Sequence, residues 1–186
     1  MTAPLLLASN RGPVSFLDGQ TDPVRGAGGL VSAVGGAAVD ALWVCAALTE
    51  IAGCSDVFEA GYVTYSNAAK TGALKVSGDV IDTFGAVSIA AAWAMARGAL
   101  AASGADVAVA ITGIAGPDGG TPGKPVGTVV FALAERTPLD AAITADSKHF
   151  DAAEGRSGIR LAAALCALEL LLPQPDAATA AVPGTP

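Results

Sequence analysis

The stretch from Ser88 to Ala134 constrains this chain more than any other part of it. It opens with an alanine-rich run, Ser88–Ser103, with Ser88 placed as a cap and Gly104 just past the end, which predicts a helix. Asp106–Thr112 (DVAVAIT) follows, short and apolar, and predicts a buried strand. A loop dense in glycine and proline, Gly113–Pro125, then leads into a second apolar run, Val126–Ala134. A helix feeding a buried strand, with a long loop leaving the strand's end, belongs to a layered α/β sheet. Loops at strand ends are where such sheets hold ligands.

The remaining elements follow from periodicity and breakers. Leu5–Ala8 predicts a short buried strand and Leu30–Val39 a small-residue helix weakened by Gly35 and Gly36. Leu42–Leu48 is ambiguous between strand and helix. Val57–Tyr65 predicts a strand, and Ala68–Leu74 a short helix capped by Asn67. Ala142–Phe150 predicts a strand, and Arg156–Leu172 a helix with Leu161, Leu165, Leu168 and Leu172 on one stripe. The fold expected is a single three-layer α/β domain with a mixed, largely parallel sheet. Residues 173–186 (PQPDAATAAVPGTP) carry little large apolar side chain and are expected to be disordered.

Composition narrows the function classes. The chain has 186 residues, with 42 Ala and 23 Gly, so much of its 52% hydrophobic content is methyl groups. Trp43 and Trp93 are expected in the core. Seventeen acidic residues against ten basic ones give a net charge of −7, without a basic cluster, which argues against nucleic acid as a partner. No uncharged run reaches the roughly 18–20 residues of a membrane helix, and the N-terminus lacks the basic and long apolar regions of a signal peptide. Three cysteines without CxxC spacing and one histidine, His149, speak against disulfides and a metal site. A cytoplasmic protein is expected, with homo-oligomerisation left open.

Three constellations carry chemistry. The first is the run from Thr112 to Thr128. Its Gly113, Gly116, Gly119 and Gly120 let backbone approach a ligand, Thr121 adds a hydroxyl, and Lys124 adds a charge for an anion. A plain structural hairpin connection is the alternative. The second is Gly61-Tyr-Val-Thr-Tyr65-Ser-Asn67-Ala-Ala-Lys70. Tyr65 ends a strand and Lys70 sits about one turn into the next helix, so a hydroxyl and an amine are able to converge. A desolvated lysine there would have a lowered pKa and act as a base; a packing tyrosine and a solvated lysine are the alternative. The third is Ser9–Val14 with Arg25–Leu30, a polar turn and a Gly-rich helix entry that suit phosphate or a flexible arm.

Residues 46–172 resemble the C-terminal domain of the competence/damage-inducible CinA proteins, the nicotinamide-nucleotide amidohydrolase family. The resemblance rests on Leu48 through Ser55, Phe58 through Lys70, Phe84 through Ser88, Thr112 through Thr128, and Gly155 through Leu172. It implies hydrolysis of the carboxamide of nicotinamide mononucleotide to nicotinate mononucleotide and ammonia, a step of the pyridine nucleotide cycle and NAD salvage, with no cofactor and no metal. It also implies a serine–lysine–tyrosine arrangement. Tyr65 and Lys70 match its YSNxxK motif as catalytic positions. Gly61, Asn67, Thr112, Gly113, Gly116, Gly119, Gly120, Thr121 and Lys124 become candidate substrate-binding positions for a small-molecule nucleotide.

The serine of that family lies in an ESCTGG motif, which is absent here. Counting back without gaps puts Ala38 at its position; Ser9, Ser32 and Cys45 are alternatives outside the expected frame. Residues 5–48 resemble instead the N-terminus of trehalose-6-phosphate synthases, with Arg11, Gly28 and Gly29 matching their sugar-phosphate and nucleotide-sugar site. This reading divides the chain into an atypical segment 1–47, an amidohydrolase-like domain 48–172 and a tail 173–186. It lets Leu5–Ala8 fill the slot of a missing first strand. Three functions stand side by side: an amidohydrolase impaired by the missing serine, a non-catalytic nucleotide-binding module, and a glycosyltransferase fragment.

Overall fold

The computed structural model describes residues 41–172 with their side chains, and the backbone of residues 8–9, 12–13 and 31–36. Ala8–Ser9 (β1) and Gly12–Pro13 (β2) form a small antiparallel ribbon. The main sheet has five strands: Val31–Gly36 (β3), Phe58–Thr64 (β4), Val107–Gly113 (β5), Thr128–Arg136 (β6) and Ala141–His149 (β7). Their order is β4-β3-β5-β6-β7. β4, β3 and β5 run parallel, whereas β6 and β7 are added antiparallel. The sheet is mixed, and its parallel part is the half that builds the site.

Helices cover both faces. Ala41–Thr49 (α1) and Gly155–Leu171 (α5) lie on one side, where Val44, Leu48, Ile159, Ala163 and Ala167 pack against Val109, Ile111, Val129 and Phe131. Asn67–Leu74 (α2), Gly78–Phe84 (α3) and Ile89–Ala102 (α4) lie on the other. There Leu74, Ile81, Ala92, Met95, Ala96 and Ala99 meet Ala108, Ala110, Val130 and Ala132. Each buried methyl(ene) contributes only about 0.8 kcal/mol. This core therefore depends on close approach of backbones rather than on large side chains.

Several expectations are corrected. Val31–Gly36 is a strand, not part of a helix. Gly35 and Gly36 each cost a helix about 1 kcal/mol, while pairing with β4 and β5 satisfies the backbone on both sides. This strand, and not Leu5–Ala8, fills the inner slot of the sheet; Ala8 belongs to the ribbon, and Leu5–Leu7 lie outside the described residues. Leu42–Leu48 resolves as helix, inside α1. α3 went unpredicted because GDVIDTF has no apolar period and buries only Ile81. Ser66, not Asn67, caps α2, its hydroxyl accepting from the Ala69 amide at 3.0 Å. Ser88 caps α4 as expected. On α5 the buried face is Ile159, Ala163, Ala164, Cys166, Ala167, Leu168 and Leu171, while Leu161 is exposed. The small residues face the sheet because they allow the closer approach. Trp43 and Trp93 are partly exposed and lie beneath Arg160 and Arg97, at 5.1 and 5.5 Å. Arg11, Gly28, Gly29 and the tail 173–186 lie outside the described residues.

Candidate active site

Parallel β4, β3 and β5 end on the same edge of the sheet. Their register sets Gly36 beside Thr64, and Gly35 beside both Val63 and Ile111. Thr64, Gly36 and Thr112 therefore share one transverse row, with Thr64 and Thr112 about 10 Å apart across two strand spacings. This is the topological position at which open α/β sheets bind ligands.

Lys70 is the central feature of that edge. The chain leaves β4 at Thr64, turns at Tyr65 and Ser66, and starts α2, which carries Lys70 back over the strand end. The side chain is fully buried. Its Nζ donates to the carbonyl of Thr64 at 2.8 Å and meets that of Tyr65 at 3.5 Å. Burial without a carboxylate partner among those contacts pushes the amine below the ordinary lysine range, because desolvation disfavours the charged form. A buried amine with a lowered pKa at a strand end has the properties of a general base.

The other expected positions fall into two groups. Tyr65 is 67% exposed, its ring outside the core. Asn67 is exposed in the first turn of α2. Gly61 lies in the middle of β4, where a Cβ would sit 2.5 Å from Cys45 Sγ; its smallness is explained by packing against α1.

Thr112 and Gly113 close β5. Thr112 is buried, and its hydroxyl donates to the Ala86 carbonyl at 2.8 Å. The glycine-rich loop beyond is internally bonded. The Ile114 amide donates to Thr128, the Gly127 amide to Ile114, and Thr121 and Lys124 exchange both backbone bonds. Gly116 has φ +74°, and a Cβ there would lie 2.6 Å from Val126 Cγ1. Gly119 also has positive φ, and a Cβ on Gly120 would crowd the Val126 amide. Gly127 is obligatory, since a Cβ would lie 2.0 Å from the Phe150 carbonyl oxygen.

Two contacts were not foreseen. Lys124 Nζ donates to the Phe84 carbonyl at 2.8 Å, so its amine has one partner within the protein. Arg156, at the start of α5, donates to the Gly116 carbonyl at 2.7 Å and fastens the loop from the other face. Neither carbonyl leaves a mark in the sequence, because a backbone acceptor has no residue signature.

The substitutes for the missing serine are displaced from the amine. Ser32 lies four residues before Gly36 on β3, about 13 Å back from the Thr64 level at roughly 3.3 Å per residue. Cys45 packs at the level of Gly61, three residues before Thr64, about 10 Å away along the strand. Burial pushes its thiol pKa up, the opposite of an activated nucleophile. Ser9 lies in the separate ribbon. The residues joining β3 to α1 are Ala37, Ala38, Val39 and Asp40, none with a hydroxyl or thiol. Among the described residues no group of three His, Cys, Asp or Glu is placed to hold a metal ion, and no helix is long and apolar enough to cross a membrane.

A three-layer α/β domain with a buried lysine and a glycine-rich loop at the ends of its parallel strands defines the class. The family model of the CinA C-terminal domain matches residues 40–174. The chain is 46% identical over 129 residues to nicotinamide-nucleotide amidohydrolase PncC of Enterobacter agglomerans, covering 69% of this chain and 76% of that one. It is 62% identical over 86 residues to a CinA-like protein of Syntrophotalea carbinolica, 46% of this chain. Of longer relatives from Symbiobacterium thermophilum and Syntrophotalea carbinolica it spans 30% and 21% of the length. The crystal structure of competence/damage inducible protein CihA from Agrobacterium tumefaciens superposes with a TM-score of 0.72 at 41% identity, covering 81% of this chain and 92% of that one. A CinA superfamily protein from Escherichia coli superposes with a TM-score of 0.70 at 29% identity, covering 81% and 87%. The chain belongs to the CinA C-terminal domain family. These relatives lend no support to the resemblance of residues 5–48 to trehalose-6-phosphate synthases, and residues 31–36 of that segment form part of the sheet itself.

Proposed function

We propose that this chain is a nicotinamide-nucleotide amidohydrolase that removes the carboxamide nitrogen of nicotinamide mononucleotide. The observation that carries the reading is the buried amine of Lys70 at the end of the parallel strands. Its two contacts are carbonyl oxygens, and desolvation by burial lowers its pKa from the ordinary lysine value. The neutral amine takes a proton from the group that attacks the carboxamide carbon. The C–N bond then breaks, the proton passes to the leaving nitrogen, and nicotinate mononucleotide and ammonia are released after net addition of water. Tyr65, exposed at the strand end, serves at the mouth of the site. The backbone between Thr112 and Thr121 carries the nucleotide and supplies donors to the developing oxyanion. The relative named as an amidohydrolase, 46% identical to this chain, supports the reading. The setting is a cytoplasmic step of pyridine-nucleotide salvage, with a small-molecule nucleotide as the substrate.

A specific observation favours a second reading. The link Ala37–Asp40 between β3 and α1 contains no hydroxyl or thiol, and Ser32 and Cys45 are set back along the strands. A nucleotide-binding module without turnover fits that sequence. Ammonia release from nicotinamide mononucleotide, with Lys70→Ala as control, separates the two. Release that depends on Lys70 supports hydrolysis; binding without release supports the module.

A further inference from the structure

The turn Phe84–Ser88 and the glycine-rich loop are distant in sequence, yet three side chains tie them together or fix their shape. Lys124 Nζ donates to the Phe84 carbonyl at 2.8 Å. Thr112 Oγ1 donates to the Ala86 carbonyl at 2.8 Å. Between them, the Ser88 hydroxyl donates to the Gly85 carbonyl, also at 2.8 Å. Three successive carbonyls of the turn are thus held from the protein side. The turn has no freedom to flip a peptide without losing a bond. Gly85 has φ +81°, and a Cβ there would lie 3.5 Å from Lys124 Nζ, so the amine passes directly over the turn.

Lys124 also stands at the far point of its loop. Thr112 fixes the loop's base, and Arg156 fixes Gly116 from the α5 side. The Thr121–Lys124 bridge closes the tip. The Lys124 contact ties that tip to a segment outside the loop. A loop of this length binds ligand well only if it is ordered beforehand, since ordering it on binding costs affinity.

We propose that Lys124 is a positioning residue: its amine latches the tip of the glycine-rich loop to the α3–α4 turn, so that both meet a nucleotide as one preordered wall. The nucleotide part of this inference rests on the function proposed above; the latch itself does not.

Hydrogen exchange of the full chain tests it, with Lys124→Met and Lys124→Arg as variants. The reporters are the amides of Ile114, Thr121, Lys124, Gly127 and Thr128 in the loop and Gly85 in the turn, all of which donate to backbone carbonyls. Losing one exposed hydrogen bond should speed their exchange about fivefold in Lys124→Met. Lys124→Arg, which still donates to the Phe84 carbonyl, should restore most of the protection. Calorimetry with nicotinamide mononucleotide should show a similar loss of affinity in Lys124→Met and recovery in Lys124→Arg. Unchanged exchange at both segments in Lys124→Met would overturn the latch. Weakened binding with unchanged exchange would likewise overturn it, by making Lys124 a direct ligand contact. If the wild type does not bind this nucleotide, the nucleotide reading fails by itself, and the exchange result still decides the latch.

Discussion

Two glycine-to-alanine substitutions on neighbouring helices should have opposite effects. Gly98 lies inside α4, where alanine is favoured over glycine by about 1 kcal/mol. A Cβ at Gly98 would nevertheless sit 2.0 Å from the carbonyl oxygen of Leu74, 2.9 Å from its carbonyl carbon and 3.0 Å from its Cβ. The obstacle is backbone at the last turn of α2, which has no flexible end to swing aside. Overpacking a close contact costs about 1–3 kcal/mol, and a backbone obstacle belongs at the upper end. After subtracting the propensity gain, Gly98→Ala should destabilise by about 2 kcal/mol. For a domain of this size that lowers Tm by about 4–8 °C. Gly72, on α2, has open space around the position of its Cβ. Gly72→Ala should therefore stabilise by about 0.5–1 kcal/mol. Urea melts of both variants beside the wild type decide the matter. Because α2 carries Lys70, the shift forced by Gly98→Ala should also weaken nucleotide binding. A Gly98→Ala protein as stable as the wild type would refute the close α2–α4 contact on which the position of Lys70 depends.

Four further outcomes are expected. In the unfolded chain Lys70 holds its proton to about 10.5, whereas the folded chain releases it at lower pH; between those values the unfolded state binds more protons, so stability rises with pH up to about 10.5. Urea melts between pH 7 and 11 should show that rise in the wild type beyond any in Lys70→Met, and parallel curves would contradict burial of the amine. Gly61→Ala should destabilise by about 1 kcal/mol or more through contact with Cys45, and Cys45→Ala should rescue it in a double-mutant cycle; additive effects would place the two residues apart. Thr112→Val should cost about 1–2 kcal/mol by stranding the Ala86 carbonyl, read by thermal melting, and a neutral result would deny that bond. Asp140→Asn breaks the Arg97–Asp140 ion pair, whose side chains are 51% and 62% exposed; denaturant melts should move by less than about 1 kcal/mol, and a larger loss would show that the pair is not simply a surface contact.

The layered architecture was legible where periodicity and breakers agreed. Ser88, the alanine run and Gly104 located α4, and DVAVAIT located β5. β3 was misread because VSAVGG has neither a helical stripe nor a strand alternation; only its two flanking strands make it a strand, and that pairing is not local information. The tyrosine and lysine of the second constellation were correctly placed at a strand end and a helix start. That Lys70 would be wholly buried followed from how α2 folds back over β4, which depends on Gly98 two helices away. The bond from Lys124 to the Phe84 carbonyl is not legible in the sequence, which shows side chains and not the carbonyls they meet. The same blindness hid Arg156, whose partner is the backbone of Gly116.

In the proposed reaction the amine of Lys70 is the base of a nicotinamide-nucleotide amidohydrolase. Ammonia release from nicotinamide mononucleotide by the purified chain, measured beside Lys70→Ala, tests it most directly. Release by the wild type and its loss in Lys70→Ala, with the fold retained, is the expected result. No release by the wild type, or release that persists without Lys70, would contradict it.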